Sequence, residues 1–146
     1  MAEERLPPIF RLTLRSGTVY YFQHRGVSSA EPHYFVVLNA APINDSILIL
    51  AIASSQVEKV RRRRAGLSAE TLVIVEPADY DGFSKATVID CNQVFEIGRA
   101  ELVQKLREGE LRHHQDLPET ILEQVWSGVR ASPLVDNHHK KLLPPE

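Results

Sequence analysis

The apolar residues of this chain come first in short alternating or continuous runs and later at helical spacing. Ile9, Leu12 and Leu14 punctuate a short β-like run, Ser16-Gly17 follows, and residues 18–22 read Thr-Val-Tyr-Tyr-Phe. Two β-rich runs around a Ser-Gly pair predict a hairpin. Residues 24–32, His-Arg-Gly-Val-Ser-Ser-Ala-Glu-Pro, form a loop by composition, because Gly, Ser and Pro interrupt both regular periods. Residues 34–38 are a strand, and residues 39–46, with Pro42 and Asn44-Asp45, are a turn. The continuous apolar run from Ile47 is too short for a helix and rich in β-branched residues, so it reads as a strand buried on both faces. Residues 71–75 and 86–90 are further strands, set apart by Pro77, Asp81 and Gly82, and residues 93–97 extend the pattern. Short strands with turn signals between them suggest a small barrel or a strongly curved sheet.

The last third changes period. Leu102, Val103 and Leu106 share one helical face, and Gly109 can stop that helix. Asp116 and Glu119 have capping-box spacing. Beyond them Leu117, Ile121, Leu122, Val125 and Val129 form an apolar stripe with Trp126 beside it. That stripe must pack on the barrel or on another chain, and it is the basis for expecting a homodimer. Residues 1–131 therefore read as one domain, with the N-terminal hairpin included. Residues 132–146, with Pro133, Pro144 and Pro145, read as a polar mobile tail.

Composition narrows the function classes. With 146 residues, 43% hydrophobic and 25% charged, the chain has enough apolar material for one core and is not wholly disordered. No apolar run approaches the ~20 residues of a membrane helix, so no membrane partner is expected. The start, Met-Ala-Glu-Glu-Arg, leads into no apolar segment of the secretory kind. The single cysteine, Cys91, excludes a disulfide framework and a multi-cysteine zinc site, and a reducing cytoplasm is the expected compartment. The net charge of −2 hides an uneven distribution, because residues 58–64 read Glu-Lys-Val-Arg-Arg-Arg-Arg. Such a patch is a solvated loop or a place to hold an RNA or DNA backbone through bidentate guanidinium contacts.

Few residues carry chemistry by pattern. His113-His114 and His138-His139 are adjacent pairs, whose side chains diverge on a helix or a strand, so no metal site and no cofactor are expected. His24 and His33 flank the first long loop, where an imidazole can carry protons near neutral pH. Cys91 closes an apolar strand and reads as a core residue. The chain has no GxSxG, P-loop or GxGxxG motif. Ser54-Ser55 ends the most apolar strand, so its hydroxyls emerge at a barrel edge.

The order of elements from about residue 17 to residue 130 resembles the PemK/MazF-like toxins of type II toxin–antitoxin systems. The resemblance rests on the loop ending in Pro32 before a strand, on Ser54-Ser55-Gln56 after the next strand, and on Asp90-Cys-Asn-Gln93. It implies a mainly β, α+β chain: an SH3-like small barrel with a short helix and a C-terminal helix, usually a homodimer. It also implies a metal-independent endoribonuclease that cuts single-stranded RNA and is opposed by a cognate antitoxin protein.

The family's phosphate-holding hydroxyl falls on Ser54, with Ser55 beside it. The family's arginine before the loop proline is replaced by Glu31, and the nearest arginine is Arg25. The expected catalytic set is Arg25, Ser54, His24 and His33. RNA contacts are expected from Ser55, Arg61, Arg62, Arg63 and Arg64, with base stacking on Tyr80 and Phe83. The alternative that Glu31 favours is a catalytically inactive relative, a barrel that binds nucleic acid or protein.

Overall fold

The computed structural model describes residues 7–145. The first five residues, read above as lacking a secretory segment, lie outside that range. The elements in chain order are α1 (Pro8–Thr13), β1 (Val19–Phe22), β2 (His33–Val37), β3 (Ile47–Ser54), α2 (Val57–Arg63), β4 (Leu72–Val75), β5 (Thr87–Gly98), α3 (Arg99–Arg107), β6 (Leu111–His114), α4 (Glu119–Ala131) and α5 (Asn137–Lys140). Short 3₁₀ turns at Pro42–Asn44 and Ala69–Thr71 precede β3 and β4. Among the described residues no helix is long and apolar enough to cross a membrane.

The strands form one six-stranded sheet in the order β4-β5-β3-β2-β1-β6, and every neighbouring pair is antiparallel. The mainly β, α+β class is as expected. The small barrel is realised as an open sheet, because β4 and β6 do not pair. The loop after β4 bridges the gap between these edges. His114 Nε2 lies 2.7 Å from the Gly82 carbonyl, the Gln115 amide donates to Asp81 Oδ1 at 2.7 Å, and the Tyr80 hydroxyl donates to the Gln115 carbonyl.

Strand alternation gives the sheet two apolar faces. One face carries Val36, Ile49, Ala51, Ile89 and Cys91, and is covered by Ile121, Leu122, Val125 and Val129 of α4. The close fit depends on Gly128, where a Cβ would lie 2.6 Å from the Glu70 carbonyl oxygen and 2.8 Å from Cys91 Sγ. The other face carries Tyr20, Phe22, Phe35, Leu48, Leu50 and Phe95, and is covered by Phe10 of α1 and Leu102 and Val103 of α3.

Several elements differ from the sequence reading. The N-terminal hairpin is absent: residues 8–13 form a helix begun by Pro7-Pro8, a pair suited to a helix start. Only Phe10 of that helix is buried, while Leu12 is 75% exposed, so its apolar positions were not a strand face. The segments expected at 86–90 and 93–97 are one strand, β5, bent where Ala51 pairs with Val94 but Ile52 pairs with Asp90. No side chain caps α4, because Pro118 occupies the N-cap and Asp116 instead takes the Arg15 Nε–H at 2.7 Å. The stripe of α4 is spent inside its own chain, which removes it as an argument for a homodimer. The polar tail carries Val135 and Leu143 into the α4-covered core, and the Ala40 N–H donates to the Leu142 carbonyl at 2.9 Å.

Candidate functional site

The sheet is left uncovered at the end where β2 begins and β3 finishes. Tyr34 pairs with Ala53, so the antiparallel register sets His33 opposite Ser54 on one face. Two grooves meet there. The first, about 550 Å³, runs between the 26–31 loop and α2, over Ile52 and Phe95. The second, about 490 Å³, runs between Tyr21 and Tyr34 on one side and the 81–85 loop on the other. Glu31, His33, Ser54 and Gln56 line both, so they form the saddle between them.

The groups on the saddle are poised rather than spent. Ser54 Oγ accepts the Gln56 N–H at 3.1 Å, which leaves its own proton to donate elsewhere. His33 Nδ1 is buried and has no hydrogen-bond partner among the described residues. A buried unpaired ring nitrogen costs free energy, and with no exposed surface it meets a ligand only if the ring turns.

Cationic groups reach the first groove from α2. Lys59, Arg63 and Arg64 line it. Arg64 donates from Nε and from a terminal nitrogen to Asp90 Oδ2, each at 2.9 Å, while Arg63 stays 3.9 Å from that oxygen and half exposed. Asp90 is 2% exposed, and its Oδ1 accepts the backbone N–H and side-chain amide of Asn92 at 3.0 and 3.1 Å. The Asn92 amide also donates to Thr71 Oγ1 at 2.9 Å, and Asn92 Oδ1 accepts the Ser132 hydroxyl at 2.7 Å. A satisfied network through the sheet thus fixes Arg64 at the groove wall, where removing one partner would strand a buried charge.

The other expected site residues lie elsewhere. His24 is buried against Phe22, Phe35 and Phe95. Its Nδ1 accepts the Gly26 N–H at 2.9 Å, so its Nε2–H donates to the Glu96 carbonyl at 2.7 Å and neither nitrogen faces a groove. Arg25 is 84% exposed, 3.5 Å from Glu101, and lines neither groove. Arg61 pairs with Glu58 along α2, and Arg62 also lines neither groove. Tyr80 and Phe83 are buried in the α4-covered core, and of the two only Phe83 also lines the second groove. Burial pushes the Tyr80 hydroxyl well above its ordinary pKa. Ser55 is exposed in the second groove.

Sequence reading missed three groups that the fold brings in. Glu31 sits on the saddle, and Lys59 joins Arg63 on α2. The half-buried Tyr21 and Tyr34 line the second groove with ring centroids 4.6 Å apart. The period-2 pattern of β1 and β2 placed both tyrosines on strands but could not show that they share an open end. Cys91 is a core residue as expected, and burial pushes its thiol up to about 12.

No family model and no curated protein matches the sequence. Solved structures do match. The toxin MazF-mt6 of Mycobacterium tuberculosis is 14% identical, with 82% of this chain aligned to 98% of that one at a TM-score of 0.53. Two MazE–MazF structures from Deinococcus radiodurans also match. Form II is 15% identical, covering 86% of this chain and 93% of that one at 0.50, and form III is 10% identical, covering 79% and 91% at 0.51. Identities this low speak for backbone and topology alone. With its open antiparallel sheet and flanking helices, the chain has the fold of the MazF toxins.

Proposed function

We propose that the chain is a MazF-type toxin that binds single-stranded RNA across the two grooves and cleaves it at the saddle without a metal ion. The observation that carries this reading is the shared lining of both grooves by Glu31, His33, Ser54 and Gln56. A strand lying across them has its phosphate over a hydroxyl donor, an imidazole and a carboxylate. Cleavage through the 2′-hydroxyl needs a group to take that proton, donors on the phosphate and a group to protonate the leaving 5′-oxygen. The O2′–P bond forms as the P–O5′ bond breaks, giving a cyclic phosphate and a free 5′-hydroxyl.

In this chain His33 and Glu31 take the two proton-transfer roles, where His24 or His33 was expected to carry protons and Arg25 to meet the phosphate. Ser54 donates to the phosphate, Lys59, Arg63 and Arg64 neutralise the backbone on one side, and Tyr21 and Tyr34 stack bases on the other. The partners of this reading are single-stranded RNA, a cognate antitoxin that occludes the grooves, and a second copy of the chain. A non-catalytic binding barrel is the second reading. It is favoured by Glu31 itself, which stands where the family's arginine is expected and repels phosphate when ionised.

The test is cleavage of a mixed-sequence single-stranded RNA in EDTA. Wild type is expected to cut, and His33→Ala to cut about 10²–10⁴-fold more slowly, the span typical for loss of a general acid or base. Ser54→Ala is expected to weaken both binding and cleavage. RNA bound by wild type but left intact would remove the enzyme reading and leave the binding barrel.

A further inference from the structure

Outside the grooves, one cluster of metal-ligand side chains stands out among the described residues. Single ligand atoms of Glu96, His138 and His139 all lie within 4.8 Å of one another. We propose that these three residues bind one divalent transition-metal ion of the zinc class, which clamps the C-terminal segment onto β5.

The sequence argument against the His138-His139 pair assumed a regular helix, on which adjacent side chains diverge by about 100°. α5 is only four residues long, and its two imidazole rings lie 4.2 Å apart at 44°. Glu96 alternates with Phe95 and Ile97, whose side chains enter the core on the α1/α3 side. Its own side chain therefore leaves the opposite face, where the C-terminal segment lies. His139 Nε2 is 3.0 Å from Glu96 Oε1, and His139 is only 13% exposed.

The segment is held independently of these contacts. The Lys140 ammonium donates to the Arg130 and Ser132 carbonyls at 2.9 and 2.8 Å, and Leu143 is buried. The backbone that carries the two histidines is thus positioned before any ion arrives.

Two imidazoles and one carboxylate suit zinc and its first-row neighbours, whereas calcium and magnesium prefer an all-oxygen shell. A tetrahedral ion with bonds of about 2.0–2.1 Å holds its ligand atoms about 3.3 Å apart. His138 and Glu96 are 66% and 46% exposed, which leaves both side chains room to rotate toward that spacing. The fourth position falls to water. A simple His139–Glu96 ion pair would need no contribution from His138, and this separates the two accounts.

The test is calorimetric titration of the untagged full chain with zinc chloride, alongside cobalt(II) as a spectroscopic probe. Wild type is expected to bind one ion per chain at micromolar affinity, with the visible absorption of tetrahedral cobalt and a rise in melting temperature on adding zinc. His138→Ala and Glu96→Gln are each expected to lose at least tenfold in affinity and to lose the cobalt signal, while His113→Gln keeps both. Zinc binding no tighter than millimolar, or equal binding by wild type and His138→Ala, would overturn the site. Folding of the surface variants is checked by their melting in EDTA, which is expected to match wild type.

Discussion

The two faces of the sheet are built from the same strands, yet they are finished differently. On one, the stripe of α4 and the returning C-terminal segment cover the strands, with Val125 and Val129 fully buried. On the other, α1 and α3 cover the sheet only part-way, and the end holding His33 and Ser54 stays open. Beneath α4 the Asn92 side chain bonds Thr71 and Ser132, and through the sheet it also meets Asp90, whose carboxylate holds Arg64 at the wall of the first groove. At the open end His33 Nδ1 is buried with no hydrogen-bond partner among the described residues, and Lys59 and Arg63 line a groove.

Truncating a side chain on each face sharpens this contrast most. Leu122→Ala on the closed face removes a buried group packed against Gly17 and is expected to cost about 2–5 kcal/mol in urea unfolding. Ser54→Ala at the open end is expected to stay within about 0.5 kcal/mol of wild type in the same experiment. Equal losses would mean that the open end is structural.

The next contrast divides the arginine run. Lys59→Gln with Arg63→Gln is expected to flatten the dependence of RNA affinity on salt by about 1.4 in log–log slope, the release from two single-strand phosphates. Arg61→Gln with Arg62→Gln is expected to leave that slope unchanged, since neither residue lines a groove. An effect of the same size in both would return the whole run to a diffuse basic patch.

How much of this the sequence disclosed follows the same division. The α4 stripe and the strands were readable because burial repeats at a fixed period there. α2 and β6 were not readable. Each buries a single residue, Val60 in one and Leu111 in the other, and one buried position has no period. The opposition of Ser54 and His33 was legible because a turn between two strands fixes their antiparallel register. The misplacement of His24 and Arg25 has the converse cause. A loop composition shows that the chain leaves the sheet but not which side chains return to it. His24 turns back into an aromatic cluster, while Arg25 turns outward to Glu101. Arg63 and Arg64 were within reach only as members of a charged run, because the helix that separates them from Arg61 and Arg62 was missed.

A further effect concerns both faces together. Burial raises the Tyr20 hydroxyl, in the α1/α3-covered core, to about 12, and the Cys91 thiol, under α4, to about 12. In both the native state holds the proton more tightly than the unfolded chain, whose ordinary values are 9.0 for Cys91 and 10.0 for Tyr20. Stability is therefore level below pH 9 and falls as pH rises toward 12, because the unfolded state ionises first. Urea midpoints are expected to hold from pH 7 to 9 and then decline, with Cys91 unreactive to thiol reagents until the chain unfolds. A midpoint that stays flat to pH 11 would show that these groups are hydrated in the native state.

The division of labour between the faces is tested most directly by nitrogen–proton NMR. The chain is titrated with a short single-stranded oligonucleotide whose 2′-hydroxyls are replaced by hydrogen, so that it binds without being cut. Amide shifts are expected to cluster at residues 26–33, 54–64 and 81–85, and to spare α4 and the segment after it. Shifts centred on α4, or no shifts at millimolar oligonucleotide, would contradict the assignment of the open end as the RNA site.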